Sequence, residues 1–346
     1  MGKSKLKTQV TNHSSSKKLA DNFGRIHNYL RISLTERCNL RCTYCMPEEG
    51  IKLRDKSHFM RNEEIIDITK IFIRLGVNKI RLTGGEPLVR NGVEDIIRQL
   101  GMLETELTIT TNGILVDQFI DAFKKAGIKS VNVSLDSLIA NKQEKISRRN
   151  HFEKTISNIN LLVNEGFTVK INVVVMDHVN YDELVDFVEL TKNKPLHIRF
   201  IEFMPFNGNK WDWSKGVSFA KMMEIIQFHY GMKAISQLVN NPNDTAKCFS
   251  IKGYQGSFGI IGSVTNPFCS TCNRIRLTAD GKIKNCLFSS DEIDLLSVYR
   301  SGEDIVPLIL QSVGAKKAMR AGMNTIEDMH SKTLIEKNRS MISIGG

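Results

Sequence analysis

Between residues 29 and 203 the chain repeats one pattern, a short β-branched run followed by a longer stretch with apolar residues at helical spacing. The runs Tyr29–Leu34, Lys79–Thr83, Leu107–Thr111, Ser130–Leu135, Thr168–Val175 and His197–Ile201 read as six strands. Helices are expected between them over Glu63–Leu75, Val93–Leu100, Val116–Ala126, Phe152–Glu165 and Tyr181–Thr191. Parallel strands joined by right-handed helical crossovers make either an open doubly wound sheet or a curved barrel. The polar residues choose between them. Cysteines follow the first strand, Gly84-Gly85-Glu86-Pro87 the second, and Thr110 with Asn112 the third. Ser134 and Asp136 end the fourth strand, Lys170 and Asn172 lie on the fifth, and Glu202 and Met204 follow the sixth. Polar groups gathered at the C-terminal ends of consecutive strands mark the active face of a (β/α) barrel. The expected fold is therefore α/β, a partial (β/α)6 TIM-like barrel over residues 21–204 with one open side.

Residues 205–330 change character, with Trp211, Trp213 and alternation near Cys248–Val264, and helical residues from Asp291 onward. They are expected to form a smaller C-terminal module that closes the open side. Residues 331–346 read as a polar, flexible tail ending in Gly345-Gly346. Residues 1–20 carry Lys3, Lys5, Lys7, Lys17 and Lys18 without an acid and read as a disordered basic leader. That leader holds +5 of the net charge of +11, and the remaining +6 (11 − 5) suits an anionic ligand without demanding nucleic acid. No apolar run reaches the length of a membrane span and no secretory signal core is present, so a cytoplasmic protein is expected, with no membrane partner.

Cysteine placement is the strongest chemical signal. Cys38, Cys42 and Cys45 supply three thiols within eight residues just after a strand; Cys269, Cys272 and Cys286 form a second group, and Cys248 stands alone. Reducing compartments disfavour disulfides, and thiolates are soft ligands for zinc or iron–sulfur clusters. A structural zinc site wants four protein ligands, whereas three cysteines on a cubane leave one iron open for a small molecule. Zinc completed by a distant histidine stays an alternative for each group at this point.

The spacing Cys38-x3-Cys42-x2-Cys45 with Tyr44 inside it, together with Gly84-Gly85-Glu86-Pro87, resembles the signature of the radical S-adenosylmethionine (SAM) superfamily. Further segments narrow the likeness: Asp21-x-x-Gly24-Arg25, Ile80–Leu88, Thr110–Gly113, Val131–Asp136, Ile198–Met204, Phe268–Leu277 and the terminal Gly-Gly. From about residue 20 to the end the chain is similar to the GTP 3′,8-cyclase family of molybdenum-cofactor biosynthesis. The resemblance implies two 4Fe–4S clusters, one on Cys38, Cys42 and Cys45 that binds SAM, and one on Cys269, Cys272 and Cys286 that meets the substrate. It implies SAM contacts at Tyr44, Gly85, Glu86, Ser134 and Met204. GTP contacts are implied at Arg31, Arg81, Thr110, Lys170, Arg274, Ile275 and Arg276. Arginine forks suit a tetra-anionic triphosphate, and on a strand Arg274 and Arg276 would share one face.

The implied reaction begins with a 5′-deoxyadenosyl radical that takes the ribose C3′ hydrogen of GTP, after which C3′ joins C8 and 3′,8-cyclo-7,8-dihydro-GTP results. Implied partners are GTP, a flavodoxin- or ferredoxin-like electron donor and a downstream pyranopterin-forming protein, with the enzyme a monomer or homodimer. The runner-up within the same chemistry is a radical SAM enzyme that modifies peptides and carries an auxiliary cluster. A zinc protein that binds RNA through its leader is the rival from another class, and it leaves the glycine motif and the paired cysteine trios unexplained.

Overall fold

Residues 18–47, 49–51, 54–209 and 212–345 are described by the computed structural model. The expectations for residues 1–17, Trp211 and Gly346 lie outside the described residues. Leu19 is buried, and its carbonyl accepts a hydrogen bond from the His27 amide at 2.7 Å, so the folded part begins before residue 21.

Strands β1 (Tyr29–Ser33), β2 (Lys79–Thr83), β3 (Glu106–Thr111), β4 (Ser130–Ser134), β5 (Thr168–Val175) and β6 (His197–Glu202) pair in sequence order, all parallel. Helices α1 (Asn62–Arg74), α2 (Val93–Gly101), α3 (Ile120–Lys125), α4 (Ala140–Ser147), α5 (Phe152–Asn164) and α6 (Leu184–Glu189) lie between them. The expected helices at 116–126 and 181–191 each open as a 3-10 turn, which shortens α3 and α6. Two-residue periodicity assigns the strand faces. Val169, Ile171, Val173 and Val175 of β5, and Ile198 and Phe200 of β6, are buried in the main apolar core. Lys170, Asn172 and Arg199 alternate with them and line the lumen.

The C-terminal residues do more than cover an open side. After α7 (Phe219–Tyr230) come β7 (Ile235–Gln237), β8 (Lys247–Ile251), β9 (Ser257–Ile261), β10 (Arg274–Leu277), β11 (Lys282–Lys284) and β12 (Ile293–Asp294). β9 pairs parallel with β6, and β10 pairs parallel with β1. The result is one sheet in the order β12-β11-β10-β1-β2-β3-β4-β5-β6-β9-β8-β7. The parallel run is thus lengthened at both edges, and the sheet passes without a break across residue 204. Helices α8 (Leu296–Arg300) and α9 (Val306–Gly314) follow, and Arg300 Nε binds Glu64 Oε1 at 2.8 Å to fasten α8 to α1.

The tail departs from expectation. Residues 326–344 form α10 (Ile326–His330), α11 (Lys332–Lys337) and α12 (Met341–Ile344), with Ile342 and Ile344 each 1% exposed. Its polar residues are anchors. Arg339 forks onto Asp280 at 2.9 and 2.8 Å and reaches Glu292 at 2.6 Å, and Lys284 Nζ donates to Asn338 Oδ1 at 3.1 Å. Such paired, desolvated forks fix a segment that polarity alone would assign to solvent. The segment expected to be flexible is ordered as far as Gly345.

Candidate active site

Beyond β1 the chain enters the loop that carries the first cysteine trio. Cys45 and Met46 amides both donate to the Cys42 carbonyl at 3.0 Å, which winds Cys42 and Cys45 into one turn, four residues after Cys38. On its outer side α4 grips the loop, with Arg41 N to Ser147 O at 3.0 Å and Thr43 N to Ile146 O at 2.9 Å. Arg148, in the left-handed region at φ 55°, adds bonds from Nη1 to the carbonyls of Arg41 and Met46 at 3.1 and 3.0 Å. On its inner side Gly85 N donates to Thr35 O at 2.7 Å and Glu86 N to Arg37 O at 2.8 Å. A Cβ on Gly85 would stand 2.4 Å from the Arg37 carbonyl, so only glycine lets the two turns meet.

Burial, reinforced by one another and by Glu86 or Asp136, raises these thiols, Cys38 to about 11, Cys45 to about 12 and Cys42 well above its ordinary value. Glu86 is 1% exposed, and burial lifts its carboxyl to about 7. It accepts from Thr111 Oγ1 at 2.8 Å, Asn112 N at 2.7 Å and Leu88 N at 3.1 Å, tying the glycine turn to the end of β3. Tyr44 Oη donates to Asp136 Oδ2 at 2.8 Å, and Asp136 Oδ1 accepts from Val174 N at 2.9 Å. The tyrosine inside the cysteine motif is thereby fixed against the ends of β4 and β5. Ser134 is the last residue of β4 and pairs in register with Asn172.

The lumen holds a cavity of about 390 Å³ whose walls include Arg31, Lys79, Arg81, Lys170, Arg199, Arg274 and Arg276. Among its described lining residues the one acid is Asp244. Arg276 stands opposite Arg31, and Arg31 opposite Arg81, on adjacent parallel strands. Burial and then these like charges push the Arg31 guanidinium well below its ordinary value; burial and neighbouring cations also lower Lys170. Burial lowers Arg199 and Arg276 to about 10 each. Like charges held this close are tolerated where an anion is to lie among them. Arg81 is aimed by bonds from Nε to Tyr29 Oη and from Nη1 to Ile109 O and Thr110 Oγ1 at 3.2 and 3.4 Å. Asn132 Oδ1, Asn172 Oδ1 and Arg199 Nε are buried without a partner, although all three side chains line the cavity. Each is a polar atom ready for a ligand.

Cys269, Cys272 and Cys286 line the same cavity. Burial raises Cys269, whereas the cations Lys316 and Arg274 outweigh burial at Cys272 and bring it down to about 7. The tail closes on the site as well. Arg276 Nη1 donates to the Gly345 carbonyl at 2.6 Å. Gly345 sits at φ 83°, and a Cβ there would meet Ser33 Cβ at 2.7 Å and Thr83 Oγ1 at 2.8 Å.

Of the residues singled out from sequence, Arg31, Arg81, Lys170, Arg274, Arg276, Met204 and the second trio meet on this one cavity. Thr110 touches it through Arg81. Ile275 does not share it: the period of two that turns Arg274 and Arg276 inward buries Ile275 in the apolar core on the opposite face. Tyr44, Gly85, Glu86 and Ser134 cluster instead around the first trio and the adjoining strand ends. Sequence reading gave no role to Arg199, Lys79 or Asn132. Their signal is a polar residue alternating with β-branched or aromatic ones inside a buried strand.

The donor sets fit two iron–sulfur clusters and SAM. Each trio offers three soft thiols, and the glycine turn beside the first leaves no room for a Cβ. A cubane spreads its thiolates over separate irons, and three from the protein leave one iron open for a small molecule.

Comparison with known proteins agrees. A family model described as the Radical SAM superfamily matches residues 32–191, and one described as Molybdenum Cofactor Synthesis C matches residues 196–321. The GTP 3′,8-cyclase of Alkaliphilus oremlandii is 40% identical over 331 residues, covering 95% of this chain and 100% of that protein. The mitochondrial GTP 3′,8-cyclase of Arabidopsis thaliana is 45% identical, covering 98% of this chain and 86% of the relative. Molybdenum cofactor biosynthesis protein 1 of Homo sapiens is 46% identical over 94% of this chain but 51% of its own length, so the chain spans about half of such relatives. Among solved structures, Streptococcus suis SuiB bound to S-adenosylmethionine shares the fold, with a TM-score of 0.61 at 14% identity over 92% of this chain and 78% of that one. The chain belongs to the GTP 3′,8-cyclase family of the radical SAM superfamily.

Proposed function

We propose that this protein converts GTP to 3′,8-cyclo-7,8-dihydro-GTP, the first step toward molybdopterin. The observation that carries the reading is a single cavity lined by arginines and by three thiols. Arg31, Arg81, Lys170, Arg274 and Arg276, joined by Arg199, would grip the triphosphate; several forks are needed to neutralise a tetra-anion. Cys269, Cys272 and Cys286 would hold the cluster that meets the guanine, and Cys38, Cys42 and Cys45 the cluster that meets SAM. When bound, the first cluster and SAM supply the one-electron reduction and the hydrogen abstraction. Tyr44, Gly85, Ser134 and Met204 would seat SAM, while Glu86 keeps the glycine turn in place through Thr111 and Asn112. Phe268, Leu287, Phe288 and Met341 line the cavity and would keep water from the reacting ribose.

In this reading residues 21–204 supply the SAM site and part of the triphosphate grip, and residues 205–330 supply the second cluster with Arg274 and Arg276. A flavodoxin- or ferredoxin-like donor, a pyranopterin-forming successor and a cytoplasmic location complete the proposal; no described helix is long and apolar enough to cross a membrane. The test is iron content after anaerobic reconstitution, set beside Cys269→Ala/Cys272→Ala/Cys286→Ala, followed by turnover with GTP and SAM. About eight irons falling to about four, with GTP-dependent formation of 5′-deoxyadenosine lost in the variant, is expected. About four irons in both proteins would overturn the two-cluster site and with it guanine binding at an open iron.

A further inference from the structure

The segment after α9 wraps the second cysteine trio. Lys316 is 4% exposed, and its ammonium lies 3.5 Å from Cys272 Sγ and 2.8 Å from the Arg274 carbonyl. Four residues on, the Arg320 backbone amide bonds to the Cys269 thiol. Arg320 and Ala321 are held in the left-handed region at φ 40° and 57°, which non-glycine residues adopt only when their surroundings impose it. The surroundings do so: the Arg320 side chain donates to Val264 O at 2.7 Å, Met323 O at 3.0 Å and Asn324 O at 2.9 Å. Arg25 braces the same segment from the N-terminal side through the carbonyls of Lys317, Ala318 and Cys269 at 2.7–2.8 Å. The segment therefore presents one cation, Lys316, and one amide, that of the strained Arg320, to two of the three thiols. Around the first trio, by contrast, the charges acting on the thiols are the carboxylates Glu86 and Asp136.

We propose that Lys316 is a positioning residue that sets the reduction potential of the second cluster, holding it above the value its three cysteines alone would give. The inference rests on the reading that Cys269, Cys272 and Cys286 carry a cluster. Reduction adds one negative charge to the cluster, and a buried ammonium hydrogen-bonded to a ligand sulfur favours that more negative state. Lys316 takes no part in electron transfer itself; the electron comes from the donor protein or, in the test, from the chemical reductant.

The test is a potentiometric titration of the reconstituted full chain followed by electron paramagnetic resonance, with Lys316→Met beside the unmodified protein. The signal that SAM perturbs identifies the first cluster and serves as internal control. In the variant the second cluster should be about tenfold less reduced at a fixed potential, 59 mV for a one-electron couple. The first midpoint should stay put, and Lys316→Arg should restore most of the shift. Equal second-cluster midpoints in protein holding both clusters would overturn the proposal. Should the Met variant fail to load, Lys316→Gln, which keeps a donor for Arg274 O, carries the same expectation and the same overturning result. About four irons in the unmodified protein would sink the cluster reading and this inference together.

Discussion

Cys38, Cys42 and Cys45 lie on one loop, held by backbone bonds to Ser147, Ile146, Gly85 and Glu86, and face buried carboxylates. Cys269, Cys272 and Cys286 are held by side chains that arrive from far along the chain, Arg25 from 244 residues before and Lys316 from 44 after, and face cations. At the first site one short motif places all three thiols within eight residues, and bonds from the glycine turn and α4 hold that loop. The second is built by tertiary packing, and only its cysteines are visible as a motif. Two cysteine trios thus differ in what holds them and in the field they would impose on a bound group.

The sharpest way to break the comparison is Arg25→Ala. It leaves Asp21, whose side chain is fully buried, without its 2.6 Å partner and frees three carbonyls around Cys269. Removing one member of such a pair costs about 3–5 kcal/mol. Iron should fall from about eight to about four per chain, with the SAM-responsive signal of the first cluster kept. Equal loss from both sites would show that the two are not held independently.

Gly345→Ala addresses the tail that contacts both halves. The added Cβ meets Ser33 and Thr83 at under 3 Å in a left-handed backbone, a strain of about 1–3 kcal/mol. Turnover should drop roughly ten- to hundredfold at unchanged iron content. Turnover equal to that of the unmodified protein would mean that the docked tail takes no part.

The smallest effect concerns the acidic surroundings of the first trio. Burial raises Glu86 from 4.5 to about 7. A carboxyl raised in the folded state lends its stability in full below the unfolded value and loses it as pH rises through the folded one. Urea unfolding of cluster-free protein should therefore weaken between pH 4.5 and about 7, and Glu86→Gln should flatten that part of the slope. Parallel slopes would mean that the Thr111 and Asn112 donors hold the carboxylate ionised after all.

The barrel was legible where periodicity and burial coincide: each of the six expected strands is present within a residue or so of its expected bounds. Helix α4 was missed because Ala140–Ser147 is polar and buries only Gln143, Ile146 and Ser147. Its function is to grip the cysteine loop, not to cover the sheet. β10 reads from sequence as a charged strand beside the cysteines, yet it pairs with β1 because its arginines face a lumen and not solvent. The tail was misjudged for the same reason, since Asn338 and Arg339 find buried partners that composition cannot reveal. In the site, the cysteines and most arginines were readable from motifs, whereas Lys316 and Arg199 owe their importance to neighbours brought close only by folding.

The rungs of Arg276, Arg31 and Arg81 have a consequence for the life of the molecule. Mutual repulsion among them would be relieved by the polyanion of the proposed function. Binding to the folded state alone raises stability with ligand concentration. Under the proposed function, the stability of the folded protein would therefore rise with the concentration of nucleotide around it.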